Sequence, residues 1–148
     1  MSKIENEIMI QAPVEKIWAV LAKPEILERY DPTVRKSSLI SLEQTNIGAK
    51  RRVDMVDGKN WFEEKITVYS PNEALSYELT ACSFPVHKLK HSYRFQKLGE
   101  DTKVIQIMEY RMKFGVLGRL LDVLVIRRKS DAGIKKFFAG LKSYVEAK

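Results

Sequence analysis

Hydrophobic and polar residues alternate strictly at the start of the chain. Ile4, Asn6, Ile8 and Ile10 fall on one side, with Glu5, Glu7 and Met9 on the other. A period of two with one polar face predicts a half-buried strand over 4–10. Ala12-Pro13 ends it, and Pro13 fits the first turn of a helix whose apolar side is Ile17, Trp18, Val20 and Leu21. Lys23-Pro24 breaks that helix, and a second short one through Ile26 and Leu27 ends near Tyr30-Asp31-Pro32. Strand-like segments then follow near 34–44, 49–56, 60–70, 74–82, 86–97 and 102–112. Turn signals separate them: Asn46-Ile47-Gly48, the two-residue hairpin signal Asp57-Gly58, Pro71-Asn72-Glu73 and Leu98-Gly99-Glu100-Asp101. Turns this short join antiparallel neighbours, because a parallel pair needs a long crossover.

The period then changes. Leu117, Leu120, Leu121 and Leu124, followed by Ile134, Phe137, Phe138, Leu141 and Val145, recur at three- and four-residue steps. They predict one long amphipathic helix, polar in its middle at Arg127-Arg128-Lys129-Ser130-Asp131. Val116 to Ile126 has the character of a core-facing helix end, with a membrane-lying segment as the other reading. The expected fold is α+β: one strand, two short helices, six antiparallel strands and a long helix, in a single domain over 1–148. One cylinder about 10 Å across cannot fill the concavity of a twisted seven-stranded sheet, so a cavity is expected between them.

Several pieces of this chain resemble the helix-grip superfamily, which includes START (SRPBCC) lipid-binding domains and the polyketide cyclase/dehydrase-like group. They are Ile8-Met9-Ile10-Gln11-Ala12-Pro13-Val14-Glu15-Lys16-Ile17-Trp18, Pro24 through Pro32, Gly48 before a strand, Glu64 within a strand, Leu75-Ser76-Tyr77 and the terminal helix. The resemblance implies a seven-stranded curved antiparallel sheet wrapped around the C-terminal helix. The position before Asp-Pro is often Trp in that group and is Tyr30 here, which would bring a hydroxyl toward a pocket mouth.

Strand parity supplies the candidate lining. In 60–70, Phe62, Glu64, Ile66 and Val68 share a face, opposite Trp61, Glu63, Lys65, Thr67 and Tyr69. A carboxylate aimed inward needs a partner, and Arg51, on the face of Val53 and Met55, is the candidate. In 86–97, His87, Leu89, His91, Tyr93 and Phe95 share a face, with His87 at the rim beside Pro85. Tyr77 aligns with Leu75 and Leu79. Tyr110 aligns with Gln106, Met108 and Met112, although Ile105 and Ile107 give the other face an equal claim. Tyr30, Arg51, Phe62, Glu64, Tyr77, His91, Tyr93 and Tyr110 are thus the candidate ligand-binding residues. Glu64 and His91 are the candidate proton carriers, on the expectation that burial tunes the carboxyl upward.

The chain has 148 residues, 45% hydrophobic and 30% charged, which is a globular composition. Its net charge of +7, from 26 Lys and Arg against 19 Asp and Glu, is dispersed. The tightest groups are Lys50-Arg51-Arg52, Arg127-Arg128-Lys129 and Lys135-Lys136, so no nucleic-acid partner is expected. No apolar run reaches the ~20 residues of a membrane span. The N-terminus lacks the apolar core of a signal peptide, and Cys82 is the single cysteine, so a reducing cytoplasm is the expected location. No phosphate loop, dinucleotide fingerprint, nucleophile elbow or zinc spacing is present, and neither cofactor nor metal is expected. Three functions remain open: binding a hydrophobic or aromatic small molecule, a cyclase/dehydratase-like reaction, and the protein-interaction role that the resemblance also implies, of cochaperone-like or ribosome-associated type.

Overall fold

A computed structural model describes residues 2–113, 115 and 127–147. Strand β1 (Ser2–Ile10) is followed by helix α1 (Val14–Leu21) and a 3₁₀ helix (Pro24–Arg29). The remaining strands are β2 (Val34–Leu39), β3 (Lys50–Met55), β4 (Trp61–Ser70), β5 (Ala74–Cys82), β6 (Val86–Leu98) and β7 (Asp101–Met112). Helix α2 (Arg127–Glu146) closes the order. The predicted helical positions Leu117 to Leu124, and the Val116 to Ile126 segment, lie outside the described residues.

All seven strands form one antiparallel sheet in the order β1-β7-β6-β5-β4-β3-β2. This is the meander that short turns dictate, with β1 carried across to pair with β7. Leu98 pairs with Asp101 across Gly99-Glu100, and Gly99 takes the positive φ of +67° that a two-residue hairpin requires. The predicted two-residue hairpin at Asp57-Gly58 is instead a longer loop between Met55 and Trp61. The Asp57 carboxylate holds it by accepting from the backbone N–H of Lys59 and Asn60, both at 2.8 Å. The strand expected to run to 44 stops at Leu39, and Leu42 beyond it is fully exposed.

The core lies between the concave face of the sheet and α2. Ile10, Val53, Ile66, Leu75 and Val104 from the sheet meet Ile134, Phe137, Phe138, Leu141 and Val145 from the helix, while Ile17, Trp18 and Leu21 of α1 close one end. α2 crosses the Tyr30-Asp31-Pro32 turn at Gly140. A Cβ there would stand 1.8 Å from the Tyr30 carbonyl oxygen, so only glycine permits this approach.

Bulges correct the expected parity at three points. Ile66 pairs with Tyr77 but Val68 with Ser76, so Thr67 is an extra residue and the alternation of β4 inverts after it. Tyr69, expected outside, therefore packs edge-on against Trp18 with ring centroids 5.1 Å apart, while Val68 moves to the outer face. Thr80 is a second extra residue, opposite the Glu63–Glu64 step. His87 is the third: Val86 pairs with Met112 and is buried, whereas His87 is exposed. On β7 the even positions Thr102 through Tyr110 are buried, which settles its parity in favour of Gln106, Met108 and Tyr110.

Candidate functional site

β3 and β4 pair with Arg51 directly opposite Glu64. Both side chains point into the concave face, where the residues are 5% and 2% exposed. The guanidinium reaches one carboxylate oxygen twice, with Nε donating at 2.7 Å and Nη2 at 2.6 Å. Its third nitrogen, Nη1, donates to the Pro24 carbonyl at 3.3 Å, and the guanidinium carbon lies 4.1 Å from the Tyr77 ring centroid. The pairing inferred from parity is therefore present, with aromatic and backbone partners that parity does not reveal.

This environment sets the protonation states. Burial alone would raise the Glu64 carboxyl, but the Arg51 charge, with His91 behind it, outweighs burial and holds it at about 2. The expected upward tuning is thus reversed, and Glu64 is a fixed anion. Burial works against the Arg51 charge too, yet Glu64 raises its pKa above the ordinary value. Burial pushes the phenols of Tyr30 and Tyr93 upward, and that of Tyr77 to about 12, so all three are neutral hydroxyls.

His91 stands at the open side of this pair. Its Nδ1 is 3.8 Å from the second carboxylate oxygen of Glu64, an ion-pair distance longer than a hydrogen bond, and its side chain is 20% exposed. Tyr93, two residues on, is buried against Phe137 with centroids 6.0 Å apart, and its hydroxyl accepts from Gln106 Nε2 at 3.3 Å. Tyr110 is buried opposite Leu89, and Phe62 is half-buried opposite Cys82. Tyr30 is buried between Phe137 and Tyr144, each 5.8 Å away. Its ring belongs to the contact with α2, and its backbone carbonyl faces Gly140.

Backbone partners were invisible in the sequence. The Tyr77 hydroxyl donates to the Leu21 carbonyl at 3.0 Å and Thr45 Oγ1 to the Ala22 carbonyl at 2.9 Å, while Arg51 takes that of Pro24. The carbonyls at the end of α1 and the start of the 3₁₀ helix are thus satisfied by sheet and loop side chains. Asp31, also buried, accepts from Thr33 through its N–H at 2.9 Å and its hydroxyl at 2.7 Å. Asp-x-Thr was the one available signal, since Asp commonly bonds its own backbone two residues on.

Hollows open on the surface at two places among the described residues. One of about 470 Å³ lies at the β6–β7 turn and the start of α1, lined by Pro13, Glu15, Lys97 and Glu100 among others. The other, of about 400 Å³, lies beside Tyr30, Pro32, Gly140 and Tyr144. Neither touches Arg51, Glu64 or His91, where the buried charges are gathered. Among the described residues no cluster of three or more potential ligands could hold a metal ion, and no helix is long and apolar enough to cross a membrane.

A seven-stranded antiparallel sheet gripping a C-terminal helix, with short helices after the first strand, defines a START-like helix-grip protein. The chain belongs to the "Polyketide cyclase / dehydrase and lipid transport" family, which matches residues 1–146. Its fold is similar to that of a Thermus thermophilus protein, at 19% identity, TM-score 0.82 and coverage of 99% of this chain and 98% of that one. It is similar as well to a START superfamily protein from Mycobacterium smegmatis, at 14% identity, TM-score 0.79 and 97% coverage of both chains. The di-domain ARO/CYC BexL from the BE-7585A biosynthetic pathway matches at 18% identity and TM-score 0.80, over 99% of this chain and 47% of that one. No curated protein is similar enough to this chain to match it.

Proposed function

We propose that the protein binds a hydrophobic or aromatic small molecule against the concave face of its sheet. The observation that carries this reading is a strip of inner-face residues left half-covered: Phe62 on β4, Leu79 on β5, and Leu89 and His91 on β6. Beside them lies the sealed pair of Arg51 and Glu64. Apolar side chains that remain accessible on the inner face gain about 25 cal/mol per Å² when a ligand covers them. The neutral hydroxyl of Tyr93 and the imidazole of His91 add polar contacts to an otherwise apolar strip, which favours a ligand with a few oxygen atoms over a plain hydrocarbon chain. A family that joins cyclases, dehydrases and lipid transport agrees with it. A thermal-shift panel of fatty acids, flavonoids and polycyclic aromatics tests the reading: aromatic members raise the melting temperature of the wild type, and Phe62→Asp with Leu89→Asp removes the rise. A flat response across the panel sinks it.

A cyclase/dehydratase-like reaction is the second reading, favoured by the placement of His91 against Glu64. A fixed carboxylate 3.8 Å behind a partly exposed imidazole sets an anion beside a group able to carry a proton. In this reading His91 carries the proton and Glu64 positions it. Unchanged turnover of a poly-carbonyl substrate in both His91→Ala and Glu64→Gln would remove it.

A further inference from the structure

Two amides on the concave face, Gln106 buried and Asn6 half-buried, each have a buried polar atom that lacks a partner. Asn6 and Gln106 stand directly opposite each other on β1 and β7, which places their side chains on one face about 5 Å apart at Cβ. Gln106 is 2% exposed, and its Nε2 donates to the Tyr93 hydroxyl. Its Oε1 is buried without a hydrogen-bond partner among the described residues, and so is Asn6 Nδ2. A donor and an acceptor thus lie side by side, complementary in character and unbonded. Each such buried group destabilises the protein unless something pairs with it. Tyr93, while accepting from Gln106, keeps its own O–H to donate.

We propose that Asn6, Gln106 and Tyr93 form an uncharged anchor for a ligand that presents a carbonyl oxygen beside an N–H or O–H. The Asn6 Nδ2–H meets the carbonyl oxygen, and the Gln106 Oε1 accepts the ligand's hydrogen. Among the described residues no charged side chain completes the trio, and the buried Arg51 is already neutralised by Glu64. A carboxylate would therefore lose its hydration with no counter-charge in return, so the anchor selects a neutral group. Tyr93 and His91 lie two residues apart on one face of β6, so this anchor adjoins the half-covered strip. The inference rests on the ligand-binding reading and specifies the polar end of the molecule.

Three naphthalenes of one shape test it: 2-naphthamide, which offers both acceptor and donor; 2-acetylnaphthalene, which offers the acceptor alone; and 2-naphthoate, which is charged. Affinities are measured by titration calorimetry on the full chain. The expected result is a preference of roughly tenfold or more for the amide over each of the others. Gln106→Met should erase that preference and keep the affinity for 2-acetylnaphthalene, while Asn6→Leu should weaken the amide and the ketone alike and leave thermal stability equal or higher, because it removes an unpaired donor. Should Asn6→Leu fail to fold on its edge strand, Gln106→Met, which keeps side-chain length, decides alone. Equal affinities in the wild type, or a preference that survives in Gln106→Met, overturns the anchor while leaving ligand binding intact. Variants that gain stability with every affinity unchanged mean that the amides hold only water, and likewise overturn it. Binding of none of the three, together with a flat thermal-shift panel, removes the ligand-binding reading and this inference with it.

Discussion

Arg51 and Glu64 face each other across β3 and β4 and share a 2.6 Å contact where both side chains are almost fully buried. Such a pair loses hydration on both partners, so its contribution depends on both being present. Glu64→Gln should lower stability by about 3–5 kcal/mol in urea denaturation, by leaving the guanidinium unneutralised. Replacing both partners, as Arg51→Met with Glu64→Leu, should recover most of that loss. A double variant as unstable as the sum of its singles would show that the bond from Arg51 to Pro24, rather than the ion pair, dominates.

Acid should unfold the protein through the same carboxylate. The folded-state pKa of Glu64 is about 2, against an ordinary 4.5, so its stabilisation is complete above pH 4.5 and disappears as pH falls toward 2. The difference corresponds to about 3 kcal/mol. Asp31 acts in the opposite sense. Burial raises its pKa and the Thr33 hydrogen bonds only partly offset that, so its contribution weakens as pH rises through the raised value. Urea midpoints between pH 5 and pH 2.5 should fall for the wild type and fall distinctly less for Glu64→Gln. Parallel slopes would contradict the assignment.

Tyr77→Phe isolates one hydroxyl. It leaves the ring beneath Arg51 but removes the donor to the Leu21 carbonyl. A buried carbonyl without a partner costs about 1–3 kcal/mol. The loss should appear in chemical denaturation, with amide exchange accelerated in α1 ahead of the sheet. Uniform acceleration would place the role of the hydroxyl elsewhere.

At Gly140 alanine's better helix propensity, worth about 1 kcal/mol, competes with a Cβ set 1.8 Å from a backbone oxygen. The clash is with backbone, which cannot rotate away, so Gly140→Ala should be destabilising by roughly 1–3 kcal/mol or more. Gly133 has nothing within 4 Å of the corresponding position among the described residues, so Gly133→Ala serves as the control and should be neutral or stabilising. A Gly140→Ala variant as stable as the control would mean that α2 can move away from the Tyr30 turn.

Much of this protein was legible in its sequence because side-chain period reports local geometry. The alternation of Ile4, Asn6, Ile8 and Ile10 and the helical spacing of Ile134, Phe137, Phe138, Leu141 and Val145 identify elements and faces without knowledge of neighbours. Parity also placed Arg51, Glu64, His91 and Tyr93 on the inner face, where they lie. Parity fails where a neighbour intervenes. The bulges at Thr67, Thr80 and His87 arise from matching two strands, so a single strand carries no sign of them, and they moved Tyr69 inward and His87 outward.

The direction of the Glu64 pKa shift belongs to the tertiary structure as well. Burial and an adjacent guanidinium push a carboxyl in opposite directions, and only the register that sets Arg51 opposite Glu64 decides which prevails. The same holds for Gly140 against Tyr30, and for Asn6 beside Gln106 with neither amide answering the other. The sequence by itself determined strands, helices and the composition of the inner face, because those follow from contacts along one chain segment. Which residues on that face meet was decided by strand register and helix crossing, which join segments as many as a hundred residues apart.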